Sequence, residues 1–287
     1  MIDGLPLIDV HLHVARLPTL KLPPPTWAPF GAGALVELYD EAGAVRPDRF
    51  DAFLEAEGVD VALLMSEYSP RVTGIQPVED LLPLLDHNPH RFRLIANLNP
   101  YLHHPIEQEL ERQLALGAVA VKLHPVHGGF SPTEGELYLV YRRCAELGVP
   151  VVFHCGTSTF PGAVNRYGDP APIDEVLQHV PDLKVVLAHG GRGWWYGAAA
   201  FLALARENVW IELSGLPPQR LPDYYARPGL RRLARKFIFG SDWPGAPGIA
   251  ANARAVAKLD IDEEDLPGVL AGNARKVYRD LEPTDVD

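Results

Sequence analysis

The stretch LALGAVAVKLH, residues 114–124, decides the fold, because a helix-like segment ends there on a glycine and an apolar run follows at once. The same junction recurs at EAEGVDVALL (residues 55–64) and AELGVPVVFH (residues 145–154). In each case the glycine supplies the left-handed residue that closes a helix, and a buried strand follows. The chain is therefore predicted to alternate helices with strands.

Apolar runs rich in Val, Ile and Leu, with little alternation, are typical of strands that are buried on both faces. We predict eight such strands: Leu7–His11, Val59–Met65, Phe92–Leu98, Val119–His124, Val151–His154, Lys184–His189, Val209–Leu213 and Phe237–Gly240. Helices are predicted between them: Asp48–Glu57, Pro105–Leu116, Thr133–Leu147, Ile173–His179 and Leu221–Ala234. This order predicts a (β/α)8 TIM barrel that fills residues 1–287 as one domain. The alternative is a doubly wound open sheet, but no GxGxxG follows the first strand.

The composition is that of a folded protein, with 47% apolar and 22% charged residues. The formal net charge is −11, which disfavours binding to nucleic acid or anionic lipid and favours a small-molecule substrate. Cys144 and Cys155 show no metal or disulfide spacing, and the start of the chain does not resemble a signal peptide. The apolar run Ala198–Ala205 is too short to cross a bilayer. We therefore expect a cytoplasmic protein.

The loops that follow the strands are longer than those that follow the helices. The longest runs from Val14 to Arg46, is rich in proline, and is predicted to form a lid because it carries Trp27 and Phe30. Two others span Cys155–Pro170 and Trp243–Ile249. In α/β barrels the loops after the strands form the face that carries the active site.

Five of the eight predicted strands finish on a ligand-type or basic side chain. They are the first (His11 and His13), the fourth (Lys122 and His124), the fifth (His154), the sixth (His189) and the eighth (Asp242). His11 and His13 lie two residues apart, so strand alternation places both on one face. A lone histidine at a strand end is usually structural, and Asp242 alone could cap a helix. If there were no metal site, all of these separate structural explanations would have to apply at the same time. We therefore predict a divalent metal site with an open coordination position.

These motifs resemble those of the amidohydrolase superfamily. The shared residues are DxHxH in the first strand, histidines in the fifth and sixth strands, LAHGG (187–191), FGSDWP (239–244) and LAGNARKVY (270–278). The similar branch is the amidohydrolase-related group that includes aminocarboxymuconate semialdehyde decarboxylase. The resemblance covers about Leu7 to Tyr278 and implies metal ligands at His11, His13, His154 and Asp242. It further implies that His189 handles a proton of metal-activated water and that Asp242 can shuttle a proton.

Lys122 stands where two-metal members of the superfamily carry a carboxylated bridging lysine. We expect instead an ion pair or a contact with substrate, and therefore one metal ion. Zn²⁺ is our first choice, and Mn²⁺ or Fe²⁺ are the alternatives.

Other residues near the predicted mouth are weaker candidates. Arg192, Trp27 and Tyr68 are predicted, with Lys122, to contact substrate, and Ser66 and Glu67 follow the second strand. His127, His103 and His104 are expected to be solvated loop histidines, and Cys155 a packing residue.

Our first hypothesis for function is hydrolysis of a lactone, amide or ester of a small carboxylic acid by metal-activated water. The alternative is non-oxidative decarboxylation of an aromatic or unsaturated acid, which the same ligands would serve. A third possibility is a catalytically inactive binding barrel. The oligomeric state is open, with a homodimer as one option.

Overall fold

The structure is a computed structural model, and it describes residues 1–14, 16–22 and 37–281. The strands in it are β1 (Ile8–His13), β2 (Val61–Met65), β3 (Glu67–Ser69), β4 (Gly74–Gln76), β5 (Phe92–Leu98), β6 (Ala118–Leu123), β7 (Val151–Gly156), β8 (Val185–Arg192), β9 (Val209–Glu212) and β10 (Phe237–Ile238). The α-helices are α1 (Pro47–Ala56), α2 (Leu82–His87), α3 (Ile106–Ala115), α4 (Pro125–Gly128), α5 (Leu137–Leu147), α6 (Ala171–His179), α7 (Tyr196–Ala205), α8 (Leu221–Tyr224), α9 (Leu230–Leu233), α10 (Ile249–Val256) and α11 (Asn273–Val277).

Eight parallel strands form one sheet in the order β1-β2-β5-β6-β7-β8-β9-β10. The residues after β10 close this sheet against β1: the backbone N–H of Asp242 donates to the carbonyl of His11 (3.0 Å), and that of His13 donates to the carbonyl of Trp243 (2.8 Å). A closed ring of parallel strands with helices in the connections is the predicted TIM-type barrel.

The interior of the barrel is packed rather than hollow. Ile8, Leu63, Val152, Val186 and Ile238 belong to one buried apolar cluster inside the ring of strands. Residues of the C-terminal segment pack against the same cluster: Ala271, Ala274, Val277, Tyr278 and Leu281. A second apolar cluster lies between the strands and the helices. The apolar packing leaves the ends of the strands as the place where a polar site can form.

The predicted glycine junctions are confirmed. Gly58, Gly117 and Gly148 have φ of +74°, +94° and +65°; Gly117 directly precedes β6, and Gly58 and Gly148 lie three residues before the starts of β2 and β7. Without a Cβ, glycine adopts this left-handed conformation at little cost.

The prediction of one helix over Leu221–Ala234 was wrong. The structure has two short helices there, α8 and α9, with Pro228 and Gly229 between them. Proline lacks the backbone N–H that a helix interior needs, and Gly229 has φ of +95°, so the helix cannot continue. The antiparallel pair β3–β4 after β2 was also missed.

The segment predicted as a lid, 14–46, lies partly outside the described residues. Its described part contains a short 3₁₀ helix, Leu17–Thr19, and a bridge that joins Leu20 to Gly74. Trp27, one of the predicted substrate contacts, lies outside the described residues, as does Phe30. In the described part of the chain, no helix is both long enough and apolar enough to cross a bilayer.

Candidate metal centre and active-site cavity

A β-bulge in β1 aims the two histidines of the first strand into the barrel mouth. Asp9 pairs with Ala62 and Leu12 pairs with Leu64, so an advance of three residues along β1 is paired with an advance of two residues along β2. The extra residue reverses the side-chain alternation, which explains why Ile8 packs inside the barrel while His11 and His13 also face the site. The Nε2 atoms of the two histidines are 3.1 Å apart.

Asp242 completes a triangle of possible ligand atoms with these two nitrogens. Its Oδ1 lies 3.6 Å from Nε2 of His11 and 3.4 Å from Nε2 of His13. A tetrahedral ion with ligand distances of about 2.0–2.1 Å separates its ligand atoms by about 3.4 Å. The three atoms are thus spaced as they would be around one divalent ion.

The tautomer of His11 suits metal binding. Its Nδ1 contacts Glu212 Oε1, and both side chains are fully buried. A carboxylate only accepts, so the ring proton resides on Nδ1 and the lone pair of Nε2 faces Asp242. A carboxylate behind a histidine in this way is the usual outer partner of a metal-bound imidazole. Ser214 Oγ also donates to Glu212, and its own oxygen lies 3.1 Å from Nδ1 of His11.

His189 and Asp242 both hold backbone conformations that side chains rarely adopt. Each has φ of +65°, in the left-handed region where non-glycine residues are uncommon. Gly215 makes the turn beside Asp242 possible, because a Cβ there would lie 2.5 Å from Asp242 Oδ2 and 2.6 Å from Nη1 of Arg192. Strain of this kind is concentrated at functional sites.

His189 stands beside the triangle. One ligand-type atom from each of His11, His189 and Asp242 lies within 4.8 Å of the others. The Nδ1 of His189 lies 2.9 Å from the carbonyl oxygen of Ser214, which can only accept, so Nδ1 carries the proton and Nε2 is left as an acceptor. Burial, together with the nearby charge of Arg192, lowers the pKa of His189 well below its usual value.

His154 is close to this group through ring contacts. Its ring centre lies 4.7 Å from that of His189, and the side chain is buried. Neither ring nitrogen has a hydrogen-bond partner among the described residues. A buried imidazole always carries at least one N–H or lone pair that needs a partner, and leaving it unsatisfied costs about 1–3 kcal/mol. A bound ion and its substrate would satisfy both nitrogens.

A cavity of about 420 Å³ opens next to these side chains. The described residues that line it come from the C-terminal ends of barrel strands, from the segments that follow these strands and from the short segment before residue 23: His13, Leu20, Glu67, Thr73, Gln76, His124, His127, His154, Thr157, Ser158, Thr159, Phe160, His189, Arg192, Asp242, Pro244 and Gly245. This volume suits a small organic substrate.

Some of the residues predicted from sequence to contact substrate line the cavity, and others do not. Arg192 lines the cavity, with Nη1 3.7 Å from Asp242 Oδ2 and Nε donating to the carbonyl of Thr157. Tyr68 is not among the described lining residues: its hydroxyl accepts the backbone N–H of Val78 and its ring packs edge-on against His103. Lys122 is buried next to the site and, like Tyr68, is not among the described residues that line the cavity.

Residues 8–279 match the amidohydrolase family of proteins. The chain belongs to the amidohydrolase family. It falls in the branch that includes aminocarboxymuconate semialdehyde decarboxylase and the aromatic acid decarboxylases, and it is an enzyme, a hydrolase or a decarboxylase. A comparison with curated proteins gave no significant match.

Solved structures share the fold of this amidohydrolase at low identity. An uncharacterised TIM-barrel protein from Bordetella bronchiseptica is 23% identical, with a TM-score of 0.77 over 95% of this chain and 98% of its own. A 2,6-dihydroxybenzoate decarboxylase is 18% identical (TM-score 0.71; 96% and 98% covered). A dihydroxybenzoic acid decarboxylase from Polaromonas, with bound manganese and 2-nitroresorcinol, is 20% identical (TM-score 0.67; 95% and 96% covered). Other matched structures are described as hydrolases.

Sequence reasoning missed two parts of the amidohydrolase site. The first is Glu212 with Ser214, which lie behind His11 and His189; the signal was an acidic residue at the end of the apolar run VWIE. The second is the grouping of Glu67, His124 and His127: the sequence analysis named each of them singly, but it did not predict that their ligand-type atoms lie within 4.8 Å of one another. His127, expected to be solvated, is buried.

The second group does not fit a metal ion as well as the first. The rings of His124 and His127 stack face to face, with centres 3.6 Å apart and planes 14° from parallel. Imidazole lone pairs lie in the ring plane, so stacked rings direct them side by side rather than toward one point. In addition, Nδ1 of His124 already accepts the backbone N–H of His127 at 3.1 Å. The geometry of the first group therefore suits a divalent ion better than that of the second.

Proposed function

We propose that this amidohydrolase hydrolyses a lactone, ester or amide of a small carboxylic acid. His11, His13, His154 and Asp242 would hold one divalent metal ion, for which zinc is our first choice. An ion bound there acts as a Lewis acid and lowers the pKa of water, which is the chemistry that hydrolysis at neutral pH needs. The observation that carries the proposal is the hydrogen bond from His189 to the carbonyl of Ser214, since it leaves Nε2 free to accept a proton.

The chain's own residues would divide the remaining work. His189 takes a proton from the attacking water at Nε2 and is held in place at Nδ1 by Ser214. Arg192 binds a substrate carboxylate, because its guanidinium faces the cavity and is partly exposed. Glu212 and Ser214 fix the orientation of His11.

Non-oxidative decarboxylation of an aromatic or unsaturated acid is the second candidate. Two of the similar structures described above are decarboxylases that act on, or bind analogues of, dihydroxybenzoic acids. Both reactions use a metal ion and a carboxylate-binding group, but decarboxylation needs a proton donor to carbon rather than a base for water.

A substrate panel separates these candidates. Purified protein is assayed with lactones, esters, amides and aromatic acids. Proton release reports hydrolysis of lactones and esters, amine release reports hydrolysis of amides, and carbon dioxide release reports decarboxylation. We expect hydrolysis of at least one small carboxylic acid derivative and its loss after chelation. Carbon dioxide release alone would replace our proposal by the second candidate. A protein that shows neither activity, with or without added metal, would support the inactive binding barrel.

We predict one divalent ion per chain and an uncarboxylated Lys122. Lys122 is fully buried, burial lowers its pKa, and the nearby carboxylates of Glu212 and Glu67 oppose this effect. The Nζ of Lys122 has no hydrogen-bond partner among the described residues, so the direct ion pair expected from the sequence is not seen, and the prediction of an unmodified amine rests on the resemblance to a one-metal branch. Elemental analysis gives the metal content, and native mass spectrometry detects an added carbon dioxide. Two ions per chain about 3.5–4 Å apart, bridged by a carbamate, would contradict this prediction.

A further inference from the structure

The cavity has a second polar wall that the proposed metal centre does not use. Glu67 comes from β3, His127 from α4, and Ser158 from the loop after β7. All three line the cavity, and they are only 3%, 5% and 7% exposed. Side chains this buried are costly to place in a cavity wall unless they hydrogen-bond to one another or to a ligand.

The three side chains are arranged in a line. Nε2 of His127 lies 2.9 Å from Ser158 Oγ, and Nδ1 of His127 lies 3.5 Å from Glu67 Oε1. The imidazole is thus hydrogen-bonded to a hydroxyl at Nε2, and its Nδ1, which has no hydrogen-bond partner among the described residues, lies within ion-pair distance of a carboxylate. A hydroxyl, an imidazole and an acid in this order form the arrangement that moves protons in many acyl-transfer enzymes.

The surroundings of the line support proton transfer toward the cavity. Thr73 Oγ1 donates to Glu67 Oε1 (3.3 Å), which fixes the carboxylate. Burial raises the pKa of Glu67, but the hydrogen bond and charge of His127 outweigh burial and hold that pKa at about 2. The carboxylate of Glu67 is therefore charged at neutral pH. The backbone N–H of Phe160 lies 3.3 Å from Ser158 Oγ and stabilises negative charge on that oxygen.

This wall continues from the metal centre. The rings of His127 and His124 stack at 3.6 Å, His124 stacks on His154 at 4.0 Å, and His154 meets His189 at 4.7 Å. The centres of His127 and His154 are 5.8 Å apart, so one small substrate can reach both ends. Hydrolysis needs a base for water and an acid for the leaving group, and a second proton donor allows separate groups to serve the two steps.

We propose that Ser158, His127 and Glu67 form a proton relay that protonates the leaving group of the substrate; this inference rests on the proposed hydrolase function. The bond between the carbonyl carbon and the leaving oxygen or nitrogen breaks, and the leaving atom keeps the electron pair. That atom takes the proton of Ser158 Oγ, which is replaced by the proton of His127 Nε2. The water oxygen forms the new bond to carbon, the water proton passes to His189, and exchange with solvent restores both histidines.

The test compares two esters of the same acid. A 4-nitrophenyl ester releases a stable anion that needs no proton, whereas a methyl ester releases a strongly basic alkoxide. His127→Gln and Ser158→Ala should each lower kcat for the methyl ester by about 10²–10⁴-fold and change kcat for the nitrophenyl ester little. Glu67→Gln should have a smaller effect in the same direction, because Glu67 acts only through His127. His104→Gln, an exposed loop histidine, is the matched control and should change neither rate.

The outcomes separate the relay from the proposed function. Equal losses on both esters in His127→Gln and Ser158→Ala would overturn the relay and leave the hydrolase standing, because a merely structural role does not depend on the leaving group. A wild-type protein that cleaves neither ester nor any other derivative would overturn both. A second measurement is independent of activity: in ¹⁵N-histidine NMR spectra, Glu67→Gln should shift the Nδ1 signal of His127. An unchanged signal would also overturn the relay.

Discussion

Replacing His189 by asparagine should lower turnover at least ~10²-fold while metal content stays near that of the wild type. The imidazole lies beside the triangle of ligand atoms, and its Nε2 is the acceptor that the proposed reaction requires. A general base typically contributes about 10²–10⁴-fold, and each factor of ten corresponds to about 1.4 kcal/mol of barrier.

Asparagine is the appropriate replacement because His189 has φ of +65°. Asparagine tolerates the left-handed region better than alanine does, so the variant removes the base without adding backbone strain. His104→Asn, at an exposed loop position, serves as the control. Metal content is measured by elemental analysis and turnover with the substrate found in the panel. Full activity in His189→Asn, or loss of metal with loss of activity, would mean that His189 is not a proton acceptor of the kind proposed.

Much of the barrel was predictable because its signals are local. Three glycines after helix-like segments place the starts of β2, β6 and β7 within a few residues, and apolar runs identify the other barrel strands. Local patterns also predicted that His11, His13, His189 and Asp242 lie at one end of the barrel. Their roles as ligands or base are predictions that the His11 and His189 variants test.

The rest depended on contacts that sequence spacing does not contain. The bulge in β1 appears only when β1 is paired with β2. Glu212 contacts His11 from a strand 201 residues later in the chain. His127 is 31 residues from Ser158 and 60 from Glu67, and each of the three alone is an ordinary loop or strand residue. Long-range pairs of this kind become visible only when the barrel brings strand ends together.

Replacing His11 by alanine should remove the metal ion and abolish the activity. His11 is fully buried, and its Nε2 makes the shortest edge of the ligand triangle, 3.1 Å to His13. Glu212→Gln provides the graded comparison, because Glu212 contacts only the Nδ1 side of that ring. Loss of such an outer partner typically lowers metal affinity about 10–100-fold, whereas loss of a ligand lowers it further. We therefore expect metal affinity, measured by competition with a chelator, to decrease from the wild type to Glu212→Gln and further to His11→Ala.

Folding must be monitored in both variants, since each change leaves a space or an altered hydrogen bond in a buried region. Circular dichroism and thermal unfolding in excess chelator compare all three proteins without metal, so a shared melting profile assigns the affinity differences to the site itself. Added metal should then raise the melting temperature of the wild type most, because an ion that binds only the folded state stabilises it more the higher its affinity. A His11→Ala protein that keeps one tightly bound ion and gains the same stability would show that the ion is held elsewhere, with Glu67, His124 and His127 as the next group to test.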